Sequence, residues 1–335
     1  MILYYVYNIF RFKKWKLLLF IGIFCTFFLI TNIIIQNLRP SIIQLVEIHK
    51  CPVCYGVSAC HDIHKVNLLW HDINDDSSRL RLCPTIQHID NLLYSIHLNY
   101  KYVDSMEYLI NLWTLVSINP EPLILQILPA ENGWPVPKYF GACGRIIIEE
   151  YVGLPLVDYY NKPWIQRAKI ASSLLNAAYM FTFKNENFSF YLTDVSADNI
   201  AVDHKNVAKF IDLENVIVVD KNVSPEEKSN EWYALQENKM HLVCADCFAF
   251  SPKNICNHHL SDHNYYAICQ LLLGLGSENP FPNGFLHDTP IDIQQQSVNI
   301  EYLLQQCAIP NSNNSRIIIG QQLKASLDML LKKLF

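Results

Sequence analysis

Glycine is scarce in this chain, with 10 in 335 residues, and no G-x-G-x-x-G, G-x-x-x-x-G-K-[ST] or G-x-S-x-G occurs anywhere. Dinucleotide-binding, P-loop and serine-hydrolase readings each need one of these frames, because the backbone must turn tightly or approach a phosphate closely there. An excess of positive charge is also missing: 26 Lys+Arg stand against 31 Asp+Glu, a net charge of −5. No basic patch with interleaved aromatics occurs, so no nucleic-acid partner is expected. There is no internal repeat and no low-complexity tract, and the length suits one large domain or two small ones.

What is present begins at the N-terminus. Leu17 to Ile35 is a run of 19 uncharged residues, broken only by Thr26, Thr31 and Asn32. As a helix it matches a hydrocarbon core of roughly 30 Å. Arg11, Lys13, Lys14 and Lys16 precede it. The positive-inside rule then predicts a cytosolic tail over 1–16, a transmembrane signal-anchor over 17–35 and a stem over 36–50, with the rest of the chain in the lumen. A cleaved signal peptide would have a shorter apolar region and a small-x-small site, which this run lacks. The expected topology is type II, with release of the large domain by cleavage as the alternative.

Eleven cysteines are present, and Cys25 lies in the apolar run. The other ten are Cys51, Cys54, Cys60, Cys83, Cys143, Cys244, Cys247, Cys256, Cys269 and Cys307. An even luminal count suits disulfides in an oxidising compartment, with the pairing left open. Zinc is not expected: Cys244, Cys247 and Cys256 lie near His258, His259 and His263, but the spacing matches no standard site. Three N-x-[ST] triplets, at Asn187, Asn222 and Asn313, are glycosylation candidates, and Pro225 weakens the second.

The most informative stretch is Asp194-Val-Ser-Ala-Asp198-Asn199, followed by a strand, a polar turn at His204–Asn206, a second strand and then Asp212. A protein-kinase catalytic loop reads D-x-x-x-x-N, with its metal-binding Asp one hairpin later. On this reading Asp194 is the base that accepts a substrate hydroxyl proton, and Asn199 and Asp212 hold Mg²⁺ on ATP phosphates. Upstream, helices are predicted over 85–98 and 104–116, and buried strands over Leu123–Leu128 and Arg145–Glu149 with a Pro/Gly-rich turn between them. Glu149, Glu150, Tyr151 and Val152 stand where a kinase hinge offers backbone groups to adenine. Pro163 opens a long helix to about Lys184. Downstream come a strand at Val216–Val219, a long polar segment Lys221–His259, a helix over Asp262–Leu273 and closing helices over 296–308 and 319–335.

Several blocks resemble the divergent protein kinase domain 2 (Deleted-in-Autism) family of secretory-pathway kinase-like proteins. They are Cys51-Pro-x-Cys54, Asn119-Pro-Glu-Pro-Leu-Ile-Leu-Gln126, Gly133-Trp-Pro with Gly141-Ala-Cys-Gly-Arg145, Asp194-Val-Ser-x-Asp-Asn199, Glu214-Asn-Val, Asp262-His-Asn-Tyr-Tyr-Ala-x-Cys269 and Leu286-His-Asp-x-Pro290. The resemblance implies a disulfide-bonded, kinase-like protein of the Golgi, endoplasmic reticulum or secreted fraction. It also implies that Asp262, opening its helix, anchors the catalytic-loop backbone. The expected fold class is therefore α+β: an N-terminal transmembrane helix, a reduced Cys-containing N-lobe over 51–150 and a mainly helical kinase-like C-lobe over 151–335.

One part of the kinase pattern is missing. A small lobe needs a Gly-rich hairpin, a strand bearing Lys and a helix Glu that orients the Lys. Only the 22 residues His61–Leu82 separate Cys60 from Cys83, and Lys65 is their one lysine. Glu107, the candidate helix Glu, reads more simply as an exposed residue on an amphipathic helix. Phosphate positioning supplies nearly all catalysis in phosphoryl transfer. The expectation is a pseudokinase or binding module for an unidentified luminal or extracellular protein partner. An active ATP- and Mg-dependent kinase is the alternative if residues 61–82 reflect a missing exon.

Overall fold

The computed structural model describes residues 80–84, 91–92, 119–143, 146–238, 250–274, 281–294, 299–311 and 315–333. The chain divides into two compact units, Met1–Cys51 with Cys143–Ile146, and Pro52–Ala142 with Ile147–Phe335. The second holds nearly all the described residues. The expected anchor, the stem, the knuckle Cys51–Cys54–Cys60, Lys65, Glu107, Cys244, Cys247 and Asn313 lie outside them, as do most of the helices expected over 85–98 and 104–116. Among the described residues no helix is long and apolar enough to cross a membrane.

The elements run in the order β1 (Arg81–Cys83), α1 (Glu121–Ile127), β2 (Tyr139–Cys143), β3 (Ile146–Glu149), β4 (Leu154–Pro155), α2 (Trp164–Tyr179), β5 (Phe188–Leu192), β6 (Ile200–Val202), β7 (Ala208–Phe210) and β8 (Val216–Asp220). Then follow β9 (Leu235–Gln236), α3 (Pro252–Cys256), β10 (Leu260–Ser261), α4 (His263–Leu273), α5 (Ile291–Gln294), α6 (Ile300–Ala308) and α7 (Arg316–Lys333). The strands form small sheets, ordered β1-β8-β5, β4-β6-β7, β2-β3 and β9-β10.

The expected strand Leu123–Leu128 is a helix. Asn119 Oδ1 accepts the Glu121 N–H at 2.8 Å, and Pro122 stands in the first turn, where a missing N–H costs nothing. Every residue of α1 but Gln126 is buried, so the apolar run showed no polar face by which a period of 3.6 could be told from one of 2. The Pro/Gly-rich stretch 129–144 is more than a turn: it contains a 3₁₀ turn at Ala130–Asn132 and the strand β2. The strand ending at Glu149, the long helix after Pro163, the hairpin before Asp212, the strand from Val216 and the helices near 262–273, 296–308 and 319–335 stand where the sequence places them, within a few residues, whereas β5, α3 and α5 were not anticipated.

Helix α2 forms the centre. Ala168, Ala171, Leu174, Leu175 and Ala178 make a buried stripe of small and branched residues, against which α4 and α7 pack. It ends in a widened turn, Met180–Lys184. Helix α4 is buried from His263 to Leu272, so each polar group on it needs a partner. It stops at Gly274 in the left-handed region (φ 80°), where a Cβ would overlap the backbone nitrogen of Gly284.

Two further ties lock α4 to the last helices. Cys269 is disulfide-bonded to Cys307 on α6. Arg316, 2% exposed, pairs with the carboxylate of Asp262, donates from Nε to the Cys307 carbonyl at 2.8 Å and lies 5.0 Å from the Tyr266 ring centroid. Asp262 also accepts from Asn238 N at 2.8 Å and Nδ2 at 3.0 Å. Burial outweighs these partners and raises its carboxyl above the usual range. Removing one member of such a pair strands a buried charge. Arg316→Met is therefore expected to cost about 3–5 kcal/mol in urea denaturation, and Asp262→Asn in the same chain to recover part of the loss. A loss in the double variant equal to the sum of the losses in Arg316→Met and Asp262→Asn alone would show that the pair carries no coupling.

His263 gives a pH signature. Burial pushes its imidazole down to about 4 from the usual value of 6.5, so the folded state holds it neutral. The unfolded chain binds the proton more tightly, so stability is full above about 6.5 and falls as pH drops toward 4. Denaturation at pH 7 and 4.5 should differ by about 2.5 kcal/mol from this group alone. His263→Gln should flatten the slope by that amount; an unchanged slope refutes the assignment.

Candidate functional site

The loop that carries the site leaves from a fixed point. Asn264 Oδ1 accepts the Leu192 N–H at 3.0 Å, Asn264 Nδ2 donates to the Phe190 carbonyl at 2.8 Å, and His263 Nε2 donates to the Leu192 carbonyl at 2.9 Å. Two consecutive side chains of α4 thus hold the end of β5, just before Thr193 and Asp194. The resemblance assigned this anchoring to Asp262. Its carboxylate instead reaches Asn238 and Arg316, and the anchoring falls to the next two residues.

Asp194 is exposed beyond that anchor, and Asn199 and Asp212 are half-buried. Ser196 Oγ accepts the Asn199 N–H at 3.3 Å and turns the loop into β6. The β6–β7 ladder pairs Ile200 with Phe210, and the Ile211 N–H donates to the Asn199 carbonyl at 3.0 Å. The hairpin therefore sets Asn199 opposite the residue before Asp212, as the spacing predicts.

A buried carboxyl missed in the sequence stands behind Asp212. Glu121, 5% exposed at the start of α1, accepts the Leu213 N–H at 3.0 Å. Burial first, then the carboxylates of Glu149 and Asp212, raise it well above the usual range. Asn119-Pro-Glu-Pro was the available signal, since Asn and Pro just ahead of a Glu mark a helix start with the acid in its first turn. Reading the run as a strand hid it.

The expected hinge divides. Glu149 ends β3, and its carboxyl is pushed up to about 7, by burial first and then by Asp212 and Glu150. Its Oε2 is buried and has no hydrogen-bond partner among the described residues. Glu150 turns to structural use: its N–H donates to the Lys138 carbonyl at 2.8 Å, and its carboxylate accepts from Lys209 Nζ at 2.8 Å and Lys138 N at 3.1 Å. Its amide is thus already engaged. Tyr151 is exposed and Val152 half-buried. Gly153 closes the link against β6, since a Cβ there would overlap the Val202 carbonyl oxygen.

Four candidate cysteines are paired, Cys83 with Cys256 and Cys269 with Cys307. Cys143 lies in β2. His258 Nδ1, His259 Nδ1 and His263 Nε2 each bond a backbone carbonyl, of Asn254, Trp232 and Leu192. Among the described residues, no group of three or more His, Cys, Asp and Glu is arranged to hold a metal ion.

Comparison with known proteins agrees with this layout. Residues 112–310 match the family model described as the protein-kinase domain of FAM69. Divergent protein kinase domain 2A of Xenopus tropicalis is 36% identical over 278 residues, and its human counterpart is 35% identical over 278. Each match takes in 79% of this chain but spans only 64% of the relative's length. Human divergent protein kinase domain 2B is 32% identical over 174 residues, 51% of this chain and 38% of that protein. With its loop, hairpin and Asp-led helix in kinase order, the chain belongs to the FAM69 family of divergent protein kinase domains.

Proposed function

We propose that this chain is a secretory-pathway kinase-like binding module, a pseudokinase that takes a nucleotide with Mg²⁺ but lacks the clamp for efficient phosphoryl transfer. The supporting observation is the charge around Glu121. Among the described residues, the charged side chains that act on it are Glu149, Asp212 and Glu214, all acids. In an active kinase a lysine pairs with the buried glutamate and reaches the phosphates. Among the described residues no cation perturbs Glu121 or Glu149.

The donor set fits the ion. Mg²⁺ is usually held by one or two carboxylates plus phosphate oxygens and water, not by an all-protein cage. Asp212 and Asn199 would supply one carboxylate and one amide oxygen. The bound ion would neutralise phosphate charge. The second reading is an active ATP-dependent kinase whose lysine strand is missing from residues 61–82 for want of an exon, in which Asp194, exposed on its loop, would accept a hydroxyl proton.

The luminal location rests on the basic flank before residues 17–35 and on two disulfides, which persist in oxidising compartments. The same reading expects a type II membrane anchor and a luminal or extracellular protein partner.

Nucleotide binding is read by thermal denaturation. ATP with Mg²⁺ at ten times Kd should add about 1.4 kcal/mol, an upward shift of about 2–4 °C. The shift should vanish with EDTA and in Asp212→Ala, and persist in Asp194→Asn. No shift in the natural chain, or an equal shift in Asp212→Ala, removes the proposed site. ATP turnover abolished by Asp194→Asn would move the reading to the active kinase.

The missing clamp is tested separately through Glu149. Its folded value, about 7, lies above the ordinary carboxyl value of 4.5. Its contribution is therefore present below about 4.5 and is lost as pH rises through 7. Glu149→Gln should leave stability unchanged near pH 4.5 and raise it increasingly toward pH 8 in urea titrations. A destabilised variant at pH 8 would mean that a cation sits beside the carboxylate after all.

A further inference from the structure

Two of the three N-x-[ST] triplets meet on the surface. Asn187 precedes β5 and Asn222 follows β8, and these strands pair antiparallel with Phe188 opposite Asp220. The Lys221 N–H donates to the Asn187 carbonyl at 2.8 Å, and Asn222 Nδ2 donates to Asn187 Oδ1 at 2.7 Å. Both asparagines are exposed. The bond uses the side-chain oxygen of Asn187, so its Nδ2, the atom that carries sugar, takes no part.

Triplets 35 residues apart thus share one spot. We propose that this spot is an N-glycosylation site bearing a single glycan, on Asn187, added before β5 closes onto β8. The proposal rests on the luminal placement above and is independent of the nucleotide site.

The timing follows from burial. Ser189, the third residue of the triplet, is fully buried and donates from Oγ to the Thr182 carbonyl at 2.9 Å. An acceptor triplet must lie extended with its hydroxyl free, so the folded strand is no substrate. The co-reactant is a polyprenyl-pyrophosphate-linked oligosaccharide. Asn187 Nδ2 attacks the anomeric carbon, a C–N bond forms, and the C–O bond to pyrophosphate breaks. The pyrophosphate leaves with the electron pair, and one Nδ2 proton passes to a base of the transferase.

Three features favour Asn187 over Asn222. Synthesis at 5–20 residues per second delivers it roughly 2–7 s earlier. Pro225 follows the second triplet, and Ser224 Oγ donates to Glu227 Oε2 at 3.0 Å in a capping turn. A sugar on Asn187 would also cover the Asn222 amide that bonds it. The spot lies at the start of β5, and a five-residue strand is about 17 Å long. The glycan therefore sits at the far end of that strand from Asp194 and leaves the loop open.

The test uses the full chain in secreting animal cells, with its own N-terminus and, in parallel, behind a cleavable secretory leader. Peptide N-glycosidase in ¹⁸O-water followed by peptide mass spectrometry marks each formerly glycosylated asparagine. Asn187 should be labelled and Asn222 not, and Asn187→Gln should remove one glycan's mobility shift while Asn222→Gln leaves it. A leader-borne chain that is secreted with Asn187 bare, or with sugar on both, overturns the proposal. Labelling of Asn187 in the leader-borne chain alone upholds the site and refutes the luminal placement of the natural chain.

Discussion

The end of β5 is held by two side chains on one helical turn, and the candidate site depends on that grip. His263 and Asn264 bond the backbone of Leu192 from inside α4, where water cannot compete. A neutral imidazole and an amide do this at less desolvation cost than a carboxylate would. Asp262 is thereby free for Arg316, which fastens α4 to the carbonyls ending α6. Adjacent residues thus serve two directions: one ties the helix to its neighbours, and two aim the loop. A functional loop launched from a rigid element is placed more narrowly than one that positions itself.

The acids behind that loop differ in what the fold asks of them. Burial and the neighbouring acids hold the Glu121 carboxyl well above the usual range, and it serves as an acceptor for the Leu213 N–H, fixing the backbone next to Asp212. Glu150 keeps its charge, lowered by the Lys209 ammonium, and fixes the hinge to β7. Glu149 has neither solution: it is buried near Asp212 with one oxygen unbonded. A carboxyl stored in that state is raised in free energy until a cation or a proton arrives. In an active kinase a strand-borne lysine would balance such carboxyls, and between Cys60 and Cys83 the sequence offers only Lys65, whose His-Lys-Val-Asn context is not that of such a strand.

How far the sequence could be read follows the physics of each segment. The hairpin between Asn199 and Asp212 was legible because polar turn residues at His204–Asn206 separate two short apolar runs, and a hairpin fixes which residues face each other. Helix α2 was legible through Pro163 and its small-residue stripe. Helix α1 was not, because a segment buried all round shows no period, and length alone does not arbitrate over seven residues. Glu121 was lost with it. The division of labour between Asp262, His263 and Asn264 was hidden for another reason: three consecutive polar residues at a helix start look alike in sequence, and only their tertiary partners separate them.

The two disulfides bear on what the module needs in order to fold. Cys83–Cys256 closes a separation of 173 residues and joins β1 to α3; Cys269–Cys307 closes 38 and joins α4 to α6. In the loop-closure model each, taken alone, removes unfolded-state entropy worth about 5 and about 4 kcal/mol. The first also pins the segment after β8, where Trp232, Val223 and Ile255 pack with Tyr191 and Val219 against the paired cysteine. Kinase switch segments work by passing between order and disorder, which requires that neither state be strongly favoured. Here the described part of that segment is fastened covalently and by an apolar cluster of its own. The order of this described part does not depend on nucleotide or on phosphorylation, which is in keeping with the binding module proposed above.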